Sequence, residues 1–293
     1  DDVKEKIRSL FDIAPLHNPA NLEGILSMEK VLPEVTQVAV FDTSFHQSIE
    51  PINYLYALPY EYYEKYRVRR YGFHGTSHKF VAKVGAALAG LDLENSKIIT
   101  CHIGNGASVT AIENGKSVCT SMGFSPVDGL VMGTRSGDVD PSALLFIAEK
   151  EGMNLADINT MINKRSGVEG LSGVSSDMRD IDAAYEAGNE RAIIARDIYY
   201  GRVKQYIGKY AALMGGVDMI IFTGGIGENH VLARKMITTQ LGYLGVEFNE
   251  AVNNETRGAD ALISTENSKV KVAVVTTDEE LVIARDTMDI VSK

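Results

Sequence analysis

The sequence predicts an α/β fold, and three observations carry that prediction. Short β-branched and apolar runs at 97–101, 219–222 and 270–275 have the length and composition of buried strands. Longer segments with apolar residues at helical spacing lie between and around them. A hairpin is indicated at 114–115, where Asn-Gly joins two strand-like stretches. The chain is therefore a mixed α/β chain and not a strict alternation of strands and helices.

The beginning of the chain is predicted to form two helices and one strand. The first helix is predicted because four apolar residues share one face: Val3, Ile7, Leu10 and Phe11. A second helix is predicted over 20–30, after a loop with two prolines. Residues 36–41 are expected to form a buried strand that ends at Asp42. The segment 43–75 is rich in tyrosine and is expected to be irregular.

The later elements follow from the same signals. A helix is predicted over 76–90, and the hairpin strands over 107–113 and 116–121. Helices are expected to dominate 141–214, where the longest ends at a pair of glycines. The last strand is followed by a final helix from about residue 278. No composition shift marks a domain boundary.

Composition excludes several classes of protein. The chain has 29 basic and 39 acidic residues, a formal charge of −10, which argues against a non-specific nucleic-acid binder. No stretch approaches the roughly 20 apolar residues that span a bilayer, and no signal peptide is recognisable. Two cysteines, Cys101 and Cys119, are too few for a disulfide framework, so we expect a cytoplasmic protein.

Two glycine-rich turns follow predicted strands, at 102–108 and 221–229. Backbone N–H groups in such turns, and at a helix N-terminus, can bind phosphate oxygens. The alternative is that each is an ordinary tight turn. The dinucleotide fingerprint, the P-loop and the protein-kinase signatures are all absent from the sequence, so a phosphate site here would belong to another class.

Histidine, arginine and aspartate residues gather in the other loops. Arg135 lies in a loop between two glycines, and an arginine fork suits a transferring phosphoryl group, although a solvated loop arginine is the alternative. Asp42 could hold a metal or simply stabilise a turn. Zinc between His74 and His78 is disfavoured, because Gly75 is a poor helix residue and the glutamate of the zinc motif is missing. Five histidines lie in or beside these loops: His17, His46, His74, His78 and His102.

The start of the final helix has a structural explanation of its own. Both Thr276-x-x-Glu279 and Thr277-x-x-Glu280 match a capping box, so at least one of these glutamates is expected to cap the helix.

Five of these motifs, in this order, resemble the acetate kinase family of the acetate and sugar kinase, heat-shock chaperone and actin superfamily. They are the segments 41–46, 70–78, 102–106, 133–138 and 224–229. The resemblance implies the actin-like ATPase fold, ribonuclease H-like, with duplicated domains. It implies reversible transfer of phosphate from ATP to acetate, giving ADP and acetyl phosphate with Mg²⁺, in a homodimer. The segment 54–66 and the long helix that ends near Met214 are candidates for the dimer interface.

The resemblance also implies roles for individual residues. The catalytic group would be Asp42, His74, Arg135 and His17. The nucleotide would bind to His102, Asn105, Gly106, Asp177, Met178, Arg179, Gly225, Gly227 and Asn229. The methyl group of acetate would lie in a pocket formed by Leu16, Phe73 and Pro126. Asp42 would orient the substrate carboxylate or the metal, and Glu279 would be linked to the metal, which leaves Glu280 as the capping residue.

One departure from the family is large. The family's first strand, its N-x-G-S-S-S phosphate loop and a carboxylate-binding arginine are not found in these residues. We therefore expect 1–44 and 281–293 to form an incomplete N-terminal domain, and 45–280 to form the nucleotide-binding C-terminal domain. We also expect this chain alone to be inactive, with a separate chain or segment carrying the N-terminus.

Two alternative functions stay open at the level of sequence. A propionate or butyrate kinase is one, because a pocket distinguishes one methylene by only about 1–3 kcal/mol. A non-catalytic, actin-like nucleotide-binding module is the other. It would lack the substrate-side residues His74 and Arg135, and both are present.

Overall fold

The computed structural model describes residues 2–11, 13 and 17–292, and it confirms an α/β fold. It divides into two units, 1–41 with 280–293 and 42–279. These limits differ by at most three residues from those expected from the sequence. The assignment of the units to the two domains of an actin-like protein stays a prediction.

A six-stranded mixed sheet forms the centre of the larger unit, in the order β3-β2-β1-β4-β6-β5. The strands are β1 (Lys97–Ile103), β2 (Ala107–Glu113), β3 (Lys116–Thr120), β4 (Met219–Thr223), β5 (Ala261–Leu262) and β6 (Lys271–Val274). The central strands β1, β4 and β6 are parallel, and the hairpin and β5 are antiparallel to their neighbours. The carboxyl ends of three parallel strands therefore meet at one edge of the sheet.

Helices and three short 3₁₀ segments account for most of the remaining described chain. The helices are α1 (Asp2–Ser9), α2 (Asn18–Val31), α3 (Pro51–Tyr54), α4 (Tyr60–Tyr66), α5 (Gly75–Ala89), α6 (Pro141–Glu151), α7 (Leu155–Lys164), α8 (Gly167–Ser172), α9 (Met178–Glu186), α10 (Glu190–Leu213), α11 (Gly224–Asn229), α12 (Val231–Thr238), α13 (Glu250–Glu255) and α14 (Glu279–Val291). The 3₁₀ segments are Ser44–Ser48, Leu93–Asn95 and Leu241–Leu244.

The sheet is buried on both faces, because alternate residues of its strands enter two different cores. On one face, Ile221 of β4 packs with Val81 and Ala82 of α5. On the other face, Phe222 packs with the buried side of α10, including Tyr199 and Ile207. This two-sided burial explains why β4 is apolar almost throughout.

The predicted hairpin is confirmed. Asn114 and Gly115 have φ values of 53° and 74°, and both positive values belong to the turn type that suits the right-handed twist of the strands. The β-branched strands and the helices predicted around them are also found in place.

The strand predicted at 36–41 is wrong. No described strand pairs with this segment, and Val35 and Phe41 have about half of their surfaces exposed, 53% and 46%. Apolar, β-branched composition favours a strand only where a neighbouring strand takes up the backbone hydrogen bonds. The tyrosine-rich segment 43–75 is more regular than expected, because it contains two short helices, α3 and α4, and a 3₁₀ turn.

In the part of the chain that the structure describes, no helix combines the length and the apolar character that a membrane crossing requires.

Candidate active site

Loops with chemically active side chains gather where β1, β4 and β6 end. His102 near the end of β1 is in register with Thr223 at the end of β4, and β6 is followed by the turn that leads to Glu279. In open α/β sheets, ligands bind outside the carboxyl ends of such strands. The fold thus brings together loops that lie far apart in the sequence.

The two predicted glycine turns are neighbours. A methyl group on Gly104 would lie 3.9 Å from the backbone nitrogen of Gly225, and one on Gly224 would lie 2.9 Å from the carbonyl oxygen of Ile103. Glycine is needed at position 224, where φ is 76° and the two loops approach backbone to backbone. Glu228 fixes the second turn, since its carboxylate accepts hydrogen bonds from the N–H groups of Gly224 and Thr277.

His74 immediately precedes α5 in an unusual backbone conformation. Its φ of 58° lies in the left-handed region, which a non-glycine residue adopts only when its surroundings hold it there. Asp42 provides that hold. Its carboxylate accepts from the His74 N–H at 2.7 Å, and its carbonyl oxygen accepts from the Gly75 N–H at 2.8 Å. The aspartate therefore sets the position of the histidine.

Gly75 permits this contact, and we predict that Gly75→Ala disrupts it. The added methyl group would lie 2.3 Å from the Asp42 carbonyl oxygen, so the backbone must move. We expect a loss of about 1–3 kcal/mol in the free energy of unfolding, together with a fall in turnover. Gly201→Ala is the matched control, because that helical glycine has open space around it, and alanine should stabilise the helix by about 0.5–1 kcal/mol. Chemical denaturation measures the free energy of unfolding of both variants, and steady-state assays measure their turnover. Equal effects of the two substitutions would contradict the prediction.

Gly106 lies beside two of the predicted catalytic side chains, His74 and Arg135. A methyl group on Gly106 would be 3.2 Å from His74 Nε2 and 3.5 Å from Arg135 Nη1. Both side chains thus approach the same residue of the glycine loop. Arg135 is half-buried, and the hydrogen bond found for its guanidinium in the described structure goes to the sulfur of Met132 at 3.6 Å. Most of its donors are therefore free for an incoming anion.

Four histidines are packed together beneath this loop. The rings of His74 and His102 stack with centroids 4.2 Å apart, and His78 and His46 lie at ring distances near 6 Å from one another. Burial, with a smaller effect of positive charge on His102, His46 and Arg135, lowers the pKa of His74 to about 3. Burial likewise lowers the pKa of His102 to about 4. These imidazoles are neutral near pH 7, so they act as hydrogen-bond donors or acceptors and not as cations.

Two carboxylates converge on one hydroxyl group. The Thr76 Oγ1 lies 2.9 Å from Glu279 Oε2 and 3.4 Å from Asp42 Oδ1. No group of three or more histidine, cysteine or acidic side chains with metal-binding geometry occurs among residues 2–11, 13 and 17–292. A two-carboxylate set does fit Mg²⁺, which commonly binds one or two protein carboxylates and takes its other ligands from substrate phosphates and water.

The capping-box prediction at α14 is wrong. The helix begins at Glu279, so neither threonine is in the capping position. Their hydroxyl groups make other hydrogen bonds: Thr276 donates to Asp260 and Thr277 donates to Ser77. Since Thr76 donates to Glu279, this glutamate is the one that the structure connects to the site.

The residues expected around adenosine lie on two segments. Asp177 caps α9 by accepting from the Arg179 N–H, and the side chain of Arg179 lowers the pKa of Asp177 to about 2. Met178 between them is buried in the core, so its side chain does not face solvent. On the second segment, Asn229 donates to the Gly225 carbonyl oxygen at 3.0 Å, and both residues are exposed.

The Arg135 loop adjoins the start of α9. A methyl group on Gly133 would lie 3.0 Å from the carbonyl oxygen of Ser176, the residue before Asp177. Gly227 is buried, and Asn105 is exposed at the tip of the first glycine turn.

The positions of the remaining predicted site residues say less about a ligand. Phe73 and Pro126 are partly buried, and the Phe73 carbonyl oxygen lies 2.9 Å from His46 Nε2. His17 belongs to the smaller unit, where it is exposed just before α2. Leu16 lies outside the described residues.

Sequence analysis missed the polar residues that hold the histidines. Ser108 lies within hydrogen-bond distance of both His74 and His78, and Ser77 lies 2.8 Å from His102. Ser77 and Ser108 belong to the predicted site motifs, but nothing in the sequence indicates which histidine each contacts. His230 has no predicted role, and the structure places its Nε2 2.8 Å from Asp182, a contact that links α9 to the start of α12.

Known proteins are similar to this chain in sequence and fold. The model of the acetokinase family matches residues 1–285. A curated acetate kinase of Agathobacter rectalis is 57% identical over 291 residues, which are 99% of this chain and 73% of that protein. The crystal structure of Porphyromonas gingivalis acetate kinase has a TM-score of 0.96 at 52% identity, covering 99% of this chain and 73% of that one.

A propionate kinase is similar but more distant. The structure of the enzyme from Francisella tularensis has a TM-score of 0.90 at 42% identity and covers 97% of this chain and 72% of that one. The predicted fold is thus that of solved acetate kinases, and neither alternative function is favoured over acetate kinase. This chain belongs to the acetokinase family, whose members are kinases that use ATP and a divalent metal to phosphorylate a carboxylate.

Proposed function

We propose that this chain transfers the γ-phosphoryl group of ATP to acetate, giving ADP and acetyl phosphate. The observation that carries the proposal is the approach of His74 Nε2 and Arg135 Nη1 to Gly106, beside two adjoining glycine turns. A carboxylate oxygen of acetate attacks the γ-phosphorus, and the bond to the oxygen that bridges the β- and γ-phosphates breaks. No proton has to move, because acetate is already deprotonated near pH 7.

This reaction needs alignment and charge stabilisation more than acid–base chemistry. Arg135 would bind the equatorial oxygens of the transferring group with its planar fork, and His74 would donate a hydrogen bond to the same group. His17 is proposed to assist. A neutral His74 suits this role, because a donor is required and a base is not.

The nucleotide would bind along the two glycine turns. His102, Asn105 and Gly106 are proposed to contact the phosphates. The adenosine would lie between the start of α9, with Asp177, Met178 and Arg179, and the start of α11, with Gly225, Gly227 and Asn229. Support comes from the Gly133–Ser176 contact, which puts the start of α9 next to the Arg135 loop.

We infer that the divalent metal is Mg²⁺ and that Asp42 and Glu279 hold it. When bound, the metal would neutralise charge on the phosphates. Within the protein, Asp42 has a second task, because it also fixes the backbone of His74. The convergence of both carboxylates on Thr76 supports this assignment.

We predict that Glu279→Gln weakens the use of Mg²⁺. Loss of one carboxylate should raise the Mg²⁺ concentration for half-maximal activity by roughly 10–100-fold. Glu280→Gln is the matched control, since it changes the neighbouring glutamate and should leave the Mg²⁺ dependence unchanged. Steady-state rates over a Mg²⁺ titration measure both variants. A larger effect of Glu280→Gln than of Glu279→Gln would show that the metal is bound by Glu280 and not by Glu279.

The acceptor is proposed to be acetate, with its methyl group against Leu16, Phe73 and Pro126. Hydroxylamine trapping of acyl phosphate, with acetate, propionate and butyrate, tests this in the protein that carries these 293 residues together with any natural flanking segments. We expect the highest kcat/KM with acetate and a decrease of about 10–200-fold for each added methylene. A higher kcat/KM with propionate would overturn the assignment, and no hydroxamate with any acid would overturn kinase activity.

Three wider features are proposed on the same basis. We infer that residues 45–280 form the nucleotide-binding domain, and that 1–44 with 281–293 belong to the other domain.

We infer a cytoplasmic protein, which the two buried free thiols, Cys101 and Cys119, support. We also infer a homodimer, supported by exposed tyrosines in 54–66, and sedimentation equilibrium measures its mass.

A further inference from the structure

A continuous row of buried hydrogen bonds leads from β1 to the reactive face of His74. Thr100 Oγ1 lies 2.7 Å from His78 Nδ1, and His78 Nε2 lies 2.7 Å from Ser108 Oγ. Ser108 Oγ in turn lies 2.9 Å from His74 Nδ1. The side chains of Thr100, His78 and Ser108 are fully buried. The far nitrogen of His74, Nε2, is the one that faces Gly106 and Arg135.

The direction of this row follows from counting donors. Each hydroxyl group donates one hydrogen, and a neutral imidazole has one N–H. If Thr100 donates to His78 Nδ1, then His78 Nε2–H donates to Ser108, and Ser108 donates to His74 Nδ1. Every hydrogen within the buried row then has an acceptor, and the remaining hydrogen of His74 is on Nε2, at the partly exposed end of the row beside Gly106.

The opposite direction leaves one hydrogen without an acceptor. His74 Nδ1–H would donate to Ser108, Ser108 to His78 Nε2, and His78 Nδ1–H to Thr100. The Thr100 hydroxyl would then need another acceptor, and within the described chain its side chain bonds to His78 alone. A buried hydroxyl hydrogen without a partner is costly. The first direction is therefore the stable one.

We propose that Thr100, His78 and Ser108 are positioning residues that hold His74 as the Nε2–H tautomer, so that it presents a hydrogen-bond donor to the phosphoryl group. The catalytic part of this proposal rests on the proposed function, whereas the tautomer assignment does not. The atoms that connect the row to the reaction are His74 Nδ1 and Nε2. The three positioning residues themselves touch neither substrate nor metal.

Hydrogen bonds also fix the tautomers of the neighbouring histidines, His102 and His46. Thr277 donates to Ser77, which leaves the Ser77 hydroxyl hydrogen free to donate to His102 Nδ1 at 2.8 Å. His46 is fixed unambiguously, because its Nε2 lies 2.9 Å from the Phe73 carbonyl oxygen, which can only accept. The His46 Nδ1 therefore accepts from Ser117. The stacked rings of His74 and His102 thus both carry their hydrogen on Nε2.

The test combines a spectroscopic and a kinetic measurement. In protein labelled with ¹⁵N-histidine, long-range ¹H–¹⁵N correlation spectra distinguish the two tautomers of each ring, and His74→Gln assigns the His74 signals. We expect an unprotonated Nδ1 and a protonated Nε2 for His74, matching the pattern of His46. In Ser108→Ala we expect this preference to be lost. We also expect kcat to fall roughly 10–100-fold, with the KM values for ATP and acetate within about two-fold.

Two further variants separate positioning from folding. Thr100→Val removes the first hydroxyl and should lower kcat, whereas Thr100→Ser keeps it and should restore kcat. Thr110→Val is the matched control, because Thr110 is a fully buried hydroxyl on β2, two residues from Ser108, and it bonds to Thr120 and not to a histidine. It should leave both the His74 tautomer and kcat unchanged.

The outcomes are distinguishable. A protonated Nδ1 on His74 in the unsubstituted protein would overturn the proposal, as would an unchanged tautomer and kcat in Ser108→Ala. A protein that forms no acetyl phosphate would contradict the proposed function, and the spectra would still decide the tautomer.

Discussion

Arg135→Ala is expected to lower kcat by about 10³–10⁵-fold while the dissociation constant for ATP changes by no more than a few-fold. The reason is the location of the guanidinium. It lies beside Gly106 together with His74 Nε2, where the γ-phosphoryl group would transfer, and it is half-buried. Charge that develops on the phosphoryl oxygens in the transition state would lose its principal cation. Pre-steady-state ATP binding and steady-state turnover measure the two quantities separately.

Two companion variants sharpen this prediction. Arg135→Lys keeps the charge but removes the planar fork, so its kcat should lie between those of alanine and arginine. Arg191→Ala removes an exposed arginine that donates to the Leu171 carbonyl oxygen, and its turnover should stay unchanged. If Arg135→Ala retained turnover within tenfold, or lost ATP affinity in proportion to turnover, the guanidinium would not be a transition-state contact.

The second large effect is expected on stability in acid. Burial lowers the pKa values of His46, His74, His78 and His102 below the ordinary value of 6.5, to about 3 for His74 and about 4 for His102. Below pH 6.5 the unfolded chain binds protons at these residues and the folded chain does not. The free energy of unfolding therefore falls as the pH decreases, by about 1.4 kcal/mol per pH unit for each histidine.

His74 and His102, with pKa values of about 3 and about 4 in the folded protein, together lower the free energy of unfolding by about 2–3 kcal/mol per pH unit between pH 6 and 5, a large part of the stability of a domain. His46 and His78 act in the same direction. Urea unfolding at several pH values measures this slope. His78→Gln removes one of the histidines that bind a proton only in the unfolded chain, so it should reduce the slope. Thr110→Val removes no ionisable group and should leave the slope unchanged. A stability that stayed constant from pH 7 to 5 would show that the folded protein admits protons to the cluster.

The sequence predicted those features that local chemistry determines. The hairpin at Asn114-Gly115 follows from two residues that tolerate positive φ, and both have it. The apolar strands β1, β4 and β6 were recognisable because both of their faces are buried. The glycine turns were recognisable from their composition, and close backbone approach that excludes a side chain is found where Gly224 meets Ile103.

Features that depend on distant partners were not predictable. The segment 36–41 has strand-like composition, but no described strand pairs with it. The two-residue strand β5 is too short for any periodicity. Thr76 and Glu279 are 203 residues apart, and His74 and Ser108 are 34 apart. Such contacts are determined by the packing of α5 on the sheet, and single-sequence patterns contain no information about which pairs will meet.

The tautomer of His74 belongs to the same group of features. The sequence indicated a histidine that could contact phosphate, but not the nitrogen that carries its hydrogen. That property depends on a row of hydroxyl groups and imidazoles contributed by β1, α5 and β2. The sequence motif therefore identified His74 as a candidate phosphate contact, and the tertiary structure determines which ring nitrogen carries its hydrogen.

Phosphorus-31 NMR of a single reaction mixture tests the central claim most directly. The protein carrying these residues, with any natural flanking segments, is incubated with ATP, Mg²⁺ and acetate. We expect the γ-phosphate signal of ATP to decline while acetyl phosphate and ADP appear at the same rate. Release of inorganic phosphate without acetyl phosphate, or an unchanged ATP spectrum at saturating substrates, would contradict direct transfer to acetate.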